Sequence, residues 1–120
     1  MKINNIVTGC AGFIGSHVVD RLLKNPSNFV IGIDNFSTGN NKFIEEAKKS
    51  GNFKFYEIDL LNLDEIKKAF KGGDAVFHLA ANADVRYGFL FPRKDLEQNI
   101  ICTHNLLEAM RANNIKKIVF

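Results

Sequence analysis

Along the chain the apolar positions switch between two periods. Residues 2–8 read as a short strand, and the glycine-rich run 9–15 reads as a turn. From Phe13 to Lys24 the apolar residues Ile14, Val18, Val19, Leu22 and Leu23 recur at helical spacing, and Asn25-Pro26-Ser27-Asn28 ends that helix. Residues 29–33 are apolar on both faces, as a buried parallel strand is. A polar loop over 34–41 and a short helix over 42–49 lead to a third strand, 53–58, with alternating pattern. Leu63, Ile66, Ala69 and Phe70 share one face of a helix that starts at Asn62 or Leu63 and stops at Gly72-Gly73. A fourth strand covers 75–79, and residues 82–92 read as irregular. A long helix covers 93–113, with Leu96, Ile100, Leu107 and Met110 along its length. Residues 116–120 open a fifth strand.

Strands that alternate with helices predict an α/β fold with a parallel sheet and helices on both faces. Right-handed crossovers then give the strand order 3-2-1-4-5. All 120 residues fall in one such domain, with no internal repeat or low-complexity tract.

Composition narrows the partners. The formal net charge is +3, and the Lys and Arg residues are scattered, so neither nucleic acid nor a membrane surface is expected. Pairs such as Lys48-Lys49, Lys67-Lys68 and Lys116-Lys117 read as solvated ends of helices and loops. No apolar stretch reaches the length of a membrane span, and the first residues form a strand pattern rather than a signal peptide. Cys10 and Cys102 form no C-x-x-C motif, which fits a reduced, cytoplasmic setting. His17, His78 and His104 match no common ligand spacing, so no metal site is expected.

The chemistry concentrates in the first turn. Three features that must coincide do so: the glycines follow a strand, they open a helix, and Asp34 ends the next strand, 19 residues after Gly15. Gly9 permits the tight turn, Gly12 lets a pyrophosphate approach the backbone, and Gly15 lets the helix pack on the sheet. The helix N-terminus offers free N–H groups and a partial positive charge to the phosphates. The Asp34 carboxylate can accept from both ribose hydroxyls and would repel a 2′-phosphate, so NAD is the expected cofactor and the fold is of Rossmann type. Cys10 reads as a small residue tolerated in the loop; the alternative is a thiol whose pKa falls at the helix N-terminus.

The spacing here is G-x-x-G-x-x-G. Thr8-Gly9-Cys10-Ala11-Gly12-Phe13-Ile14-Gly15-Ser16-His17 resembles the opening of the NAD-dependent epimerase/dehydratase family, within the extended short-chain dehydrogenases/reductases. The resemblance extends over the whole chain. It includes Asp34-Asn35-Phe36-Ser37-Thr38-Gly39, Asp59-Leu60, His78-Leu79-Ala80-Ala81, the helix positions Asn99, Thr103 and Asn105 to Ala109, and Ile118-Val119-Phe120. Carried over, it implies that Phe13 and Ile14 offer N–H groups to the pyrophosphate and that Asp34 and Asn35 contact the ribose. It further implies that Asp59 accepts from the adenine amino group while Leu60 packs on the ring. Leu79, Ala80 and Ala81 line the path to the nicotinamide, and Asn99 supplies a polar group near the cofactor. Cys102 stands where a glycine is common, Ala83 where some 4-epimerases carry lysine, and the run Arg86 to Phe91 is unusually aromatic. That run is expected either to contact substrate or a further domain, or to form a core patch over the sheet edge.

The resemblance implies a UDP-glucose 4-epimerase-like enzyme acting on a sugar nucleotide by hydride transfer to and from nicotinamide. A sugar-nucleotide 4,6-dehydratase and a non-catalytic NAD-binding module are the alternatives, and a homodimer is a further implication. The family's chemistry uses a Tyr-x-x-x-Lys motif in which the lysine lowers the tyrosine pKa. Tyr56 is followed four positions on by Leu60 and Tyr87 by Phe91, so neither makes it, and no catalytic residue is assigned. These 120 residues are therefore expected to bind NAD without turnover, with the catalytic region and substrate domain lying outside them. An open edge and exposed apolar surface are expected at the fifth strand.

Overall fold

The computed structural model describes residues 1–120. Five parallel strands form one sheet: β1 (Ile3–Thr8), β2 (Asn28–Asp34), β3 (Phe53–Glu57), β4 (Ala75–His78) and β5 (Ile118–Val119). Their order is β3-β2-β1-β4-β5, the predicted one. Between them lie α1 (Phe13–Leu23), a 3₁₀ turn (Asn41–Ile44) leading into α2 (Glu45–Lys48), and α3 (Leu63–Ala69). After β4 come α4 (Val85–Leu90), α5 (Pro92–Asp95), a π-helical stretch (Leu96–Ile101) and α6 (Cys102–Ala112). No helix is long and apolar enough to cross a membrane.

The sheet separates two cores because successive strand residues face opposite sides. Ile6, Ile31, Ile33 and Val76 pack with Ile66 and Phe70 of the α3 segment and Leu106, Ala109 and Met110 of α6. Val7 and Val30 pack on the other side with Val19 of α1, Ile44 and Ala47. The continuous apolar reading of β2 thus has a physical basis: both of its faces are covered.

Four local expectations differ from the structure. Residues 85–90 are helical rather than irregular, because the Asp84 side chain caps α4 by accepting from Arg86 N. The single long helix is interrupted by π geometry over Leu96–Ile101. That stretch turns the earlier apolar positions away from the core. Leu96, Ile100 and also Leu107 are exposed, while Cys102, Asn105, Leu106, Ala109 and Met110 are buried. The aromatic run is no core patch either: Phe89 is 87 % exposed, and Leu90 and Phe91 are exposed beside it. The fifth strand is only two residues long, and Val119 and Phe120 are exposed beside its open edge.

Candidate functional site

The loop after β1 is shaped by close backbone approaches. Gly9 has φ +69°, and a Cβ there would lie 2.8 Å from Ala80 N. A Cβ on Gly15 would lie 1.9 Å from Gly9 O, so the loop closes onto the first turn of α1 with no room for a methyl group. The N–H groups of Gly9 and Cys10 both donate to Ile33 O, at 2.9 and 3.3 Å, which ties the turn to β2. Gly12 is the N-cap and has no capping side chain. The first-turn N–H groups of Phe13, Ile14 and Gly15 therefore carry a partial positive charge toward the cleft with no side chain to satisfy them.

This loop forms one wall of a cleft of about 330 Å³ at the carboxyl ends of the strands. Ligands bind at this place in open parallel sheets. Gly9, Gly12, Phe13, Ile14 and Gly15 line the side next to α1. Asp34 and Asn35 line the end beyond β2, with Ser37, Thr38 and Gly39 beside them. Ile58 and Leu60 form an apolar wall there. Leu79, Ala80 and Ala81 lie after β4, next to Ala83 and Gln98.

The Asp34 carboxylate is locked from two sides. One oxygen accepts from Ala11 N at 2.9 Å and the other from Phe36 N at 2.8 Å. Each oxygen keeps a further lone pair for a ligand hydroxyl. The second bond closes an Asx turn that holds Phe36 at φ 57°, a left-handed conformation its ring keeps by packing on Phe55.

Two predicted site residues lie off the wall of the cleft. Asp59 is exposed at the rim, where it accepts from Leu61 N at 2.9 Å and from Asn35 Nδ2 at 3.3 Å. Asn99 is turned to the loop after β4: its Oδ1 accepts from Asn82 N at 2.7 Å and its Nδ2 donates to Asp95. Its neighbour Gln98 faces the cleft instead. Consecutive helix residues point in different directions, so only one of the two can face the cleft, and the π stretch that carries both sets which one it is.

Three more residues support the walls: Thr8 and Asn105 drew no role from the sequence, and the resemblance places His78 near the cofactor without its hydrogen-bond partners. Thr8 Oγ1 accepts from Leu79 N at 3.2 Å. Asn105 Nδ2, buried on α6, donates to Leu60 O at 3.0 Å. His78 bonds Thr8 at 2.7 Å and Thr103 at 3.0 Å, so both its ring nitrogens are engaged, and burial lowers its pKa. Each partner lies at least 25 residues away in sequence, so no local motif announces it.

Cys10 is fully buried under the loop. Burial, with the Asp34 carboxylate adding to it, pushes its thiol up to about 12. Desolvation outweighs the helix N-terminus, and the residue is a small apolar filler rather than a reactive thiolate.

Comparison with known proteins agrees with this architecture. The model of the NAD dependent epimerase/dehydratase family matches residues 5–120. UDP-glucuronate 4-epimerase from Thermodesulfobacterium geofontis is 42 % identical over 95 % of this chain, which covers 37 % of that protein. A UDP-N-acetylglucosamine 4-epimerase from Methanobrevibacter ruminantium, solved with UDP-N-acetylmuramic acid, superposes with a TM-score of 0.89 at 40 % identity. That match covers 100 % of this chain and 38 % of the other. UDP-glucose 4-epimerase from Thermus thermophilus, solved with NAD, gives a TM-score of 0.87 at 35 % identity, covering 98 % of this chain and 37 % of the other. The chain thus spans a little over a third of the length of these relatives.

Proposed function

The chain belongs to the NAD-dependent epimerase/dehydratase family, and on that premise we propose that it is the NAD-binding portion of a UDP-sugar 4-epimerase. The observation that carries the reading is the cleft itself. An uncapped helix N-terminus, glycines with no room for a side chain, and a carboxylate with lone pairs to spare lie along one cleft in the order phosphate, then ribose. These groups fit a dinucleotide: the N–H groups of Phe13, Ile14 and Gly15 match a pyrophosphate, and Asp34 matches an unphosphorylated ribose.

In this reading Leu60 and Ile58 pack on the adenine ring, with Asp59 and Asn35 at its rim. Leu79 to Ala81 and Gln98 face the nicotinamide end. Asn99 acts one step back, through the loop it holds. When bound, NAD supplies a hydride acceptor and donor, and the chain's own part is to bind and orient it. The sugar nucleotide and the group that moves the substrate proton belong to the whole protein. The 4-epimerase reading stands ahead of the 4,6-dehydratase because 4-epimerases predominate among the similar proteins, although a dTDP-glucose 4,6-dehydratase from Salmonella typhimurium is also 38 % identical over 92 % of the chain.

Calorimetry with NAD and NADP tests the proposal. The chain is expected to bind NAD more tightly than NADP, and Asp34→Ala is expected to weaken NAD about tenfold or more while narrowing the preference. Equal affinity of the unsubstituted chain for both cofactors, or an Asp34→Ala chain that binds NAD as before, refutes it.

A further inference from the structure

His78 is buried at the end of β4, whereas His17 and His104 are exposed. Its hydrogen bonds fix where every proton lies. Thr103 Oγ1 lies 2.6 Å from Asn99 O, a carbonyl that can only accept, so the Thr103 proton points there. The Thr103 oxygen then accepts from His78 Nε2 at 3.0 Å, and Nε2 carries the ring proton. In the neutral ring Nδ1 is a lone pair, 2.7 Å from Thr8 Oγ1, and the Thr8 proton goes to it. The Thr8 oxygen is left with lone pairs facing Leu79 N at 3.2 Å and Ala80 N at 3.4 Å. The other ring tautomer would make Thr8 accept from Nδ1 and turn its own proton toward those N–H groups.

The next stretch of backbone is held by the same helix. Asn82 N donates to Asn99 Oδ1 at 2.7 Å, so the segment Leu79 to Ala81 is pinned at both ends by one chain of bonds. That segment also limits the phosphate loop, since Ala80 N lies only 2.8 Å from where a Cβ of Gly9 would fall. We propose that His78 is a positioning residue: locked as the Nε2–H tautomer between Thr103 and Thr8, it sets the Thr8 hydroxyl so that the Leu79-Ala80 backbone stands where NAD must lie. The link to NAD rests on the cofactor reading above; the tautomer and the pinned backbone do not.

Nitrogen-15 NMR of the full 120-residue chain, detecting the two-bond couplings of the imidazole, reads the tautomer directly. A protonated Nε2 and a bare Nδ1 on His78 are expected. Thr103→Val keeps the side-chain volume and removes the acceptor. It should give a mixture of tautomers, faster amide exchange at Leu79 and Ala80 than at the rest of β4, and about a tenfold higher Kd for NAD. A role confined to packing would change global stability without moving the tautomer or those two amides selectively. An Nδ1–H tautomer in the unsubstituted chain overturns the proposal and needs no variant to fold. So does a Thr103→Val chain with unchanged tautomer, exchange and affinity. If the unsubstituted chain binds no NAD, the cofactor reading fails, while the tautomer and the two amide exchange rates still decide the positioning role.

Discussion

Gly15→Ala sets two known effects against each other. Alanine is the better helix former, by about 1 kcal/mol in a helix interior. The structure opposes it with a Cβ 1.9 Å from Gly9 O and 2.7 Å from Gly9 C. Ordinary contact begins near 3.4 Å, so α1 and the loop would have to separate by about 1.5 Å. The loop cannot yield easily, because Gly9 is tied to Ile33 O and rests against Ala80. Overpacking costs about 1–3 kcal/mol and occasionally more, and a clash this deep against backbone belongs at the upper end, so it should win with a net loss of about 2 kcal/mol or more after the propensity gain. Urea unfolding followed by circular dichroism gives the stability, and calorimetry gives NAD affinity, expected to fall at least tenfold as the N–H groups are displaced. Gly51→Ala is the control: a Cβ there meets nothing within 4 Å, and stability should stay within about 0.5 kcal/mol. A Gly15→Ala chain as stable as its parent with unchanged NAD affinity would refute the reasoning about the loop.

Three further outcomes are expected. Iodoacetamide should label Cys10 only once the chain is unfolded, as peptide mass mapping with and without urea will show, because the thiol is buried and raised to about 12. A pKa raised by folding from 9.0 means the native state holds its proton longer. The Cys10 contribution to stability is then complete below about pH 9 and lost above it, by about 1.4 kcal/mol per pH unit, and Cys10→Ala should flatten that decline in urea titrations. Asn105→Ala should cost about 1–3 kcal/mol in the same assay by leaving Leu60 O without its partner; a loss below about 0.5 kcal/mol would show that water replaces the amide.

The parts of this site that the sequence shows are those whose signals are local. The Gly9–Gly15 spacing, the strand before it and Asp34 at the end of the next strand are all readable because each acts through its own backbone or its own short turn. The strand order is readable because crossover handedness leaves few choices. The parts that stay hidden depend on where two distant segments meet. Nothing near Thr8 or Thr103 says that an imidazole stands between them, since the ring is 70 residues from one and 25 from the other. Asn105 reads as one more helix residue until the Leu60 carbonyl is seen above it. Asn99 comes from the family resemblance, which gives a position on the helix but not which way its side chain turns; the structure turns it to the β4 loop and Gln98 to the cleft.

The change of pitch at Leu96–Ile101 has a consequence for how the molecule tolerates variation. The helix from Pro92 to Ala112 must address the cleft with Gln98, the β4 loop with Asn99 and the α3 core with Leu106 and Ala109. A uniform spiral would bind those three tasks into one phase, so any change in register at one end would be felt at the other. The wide turn at Leu96–Ile101 itself carries Gln98 and Asn99, and the regular helix after it carries Leu106 and Ala109. The cleft and its loop thus draw on the wide turn and the sheet core on the regular helix after it, with the Thr103–Asn99 bond joining the two, so substitutions in the two stretches are expected to report separately on cleft and core unless they break that bond.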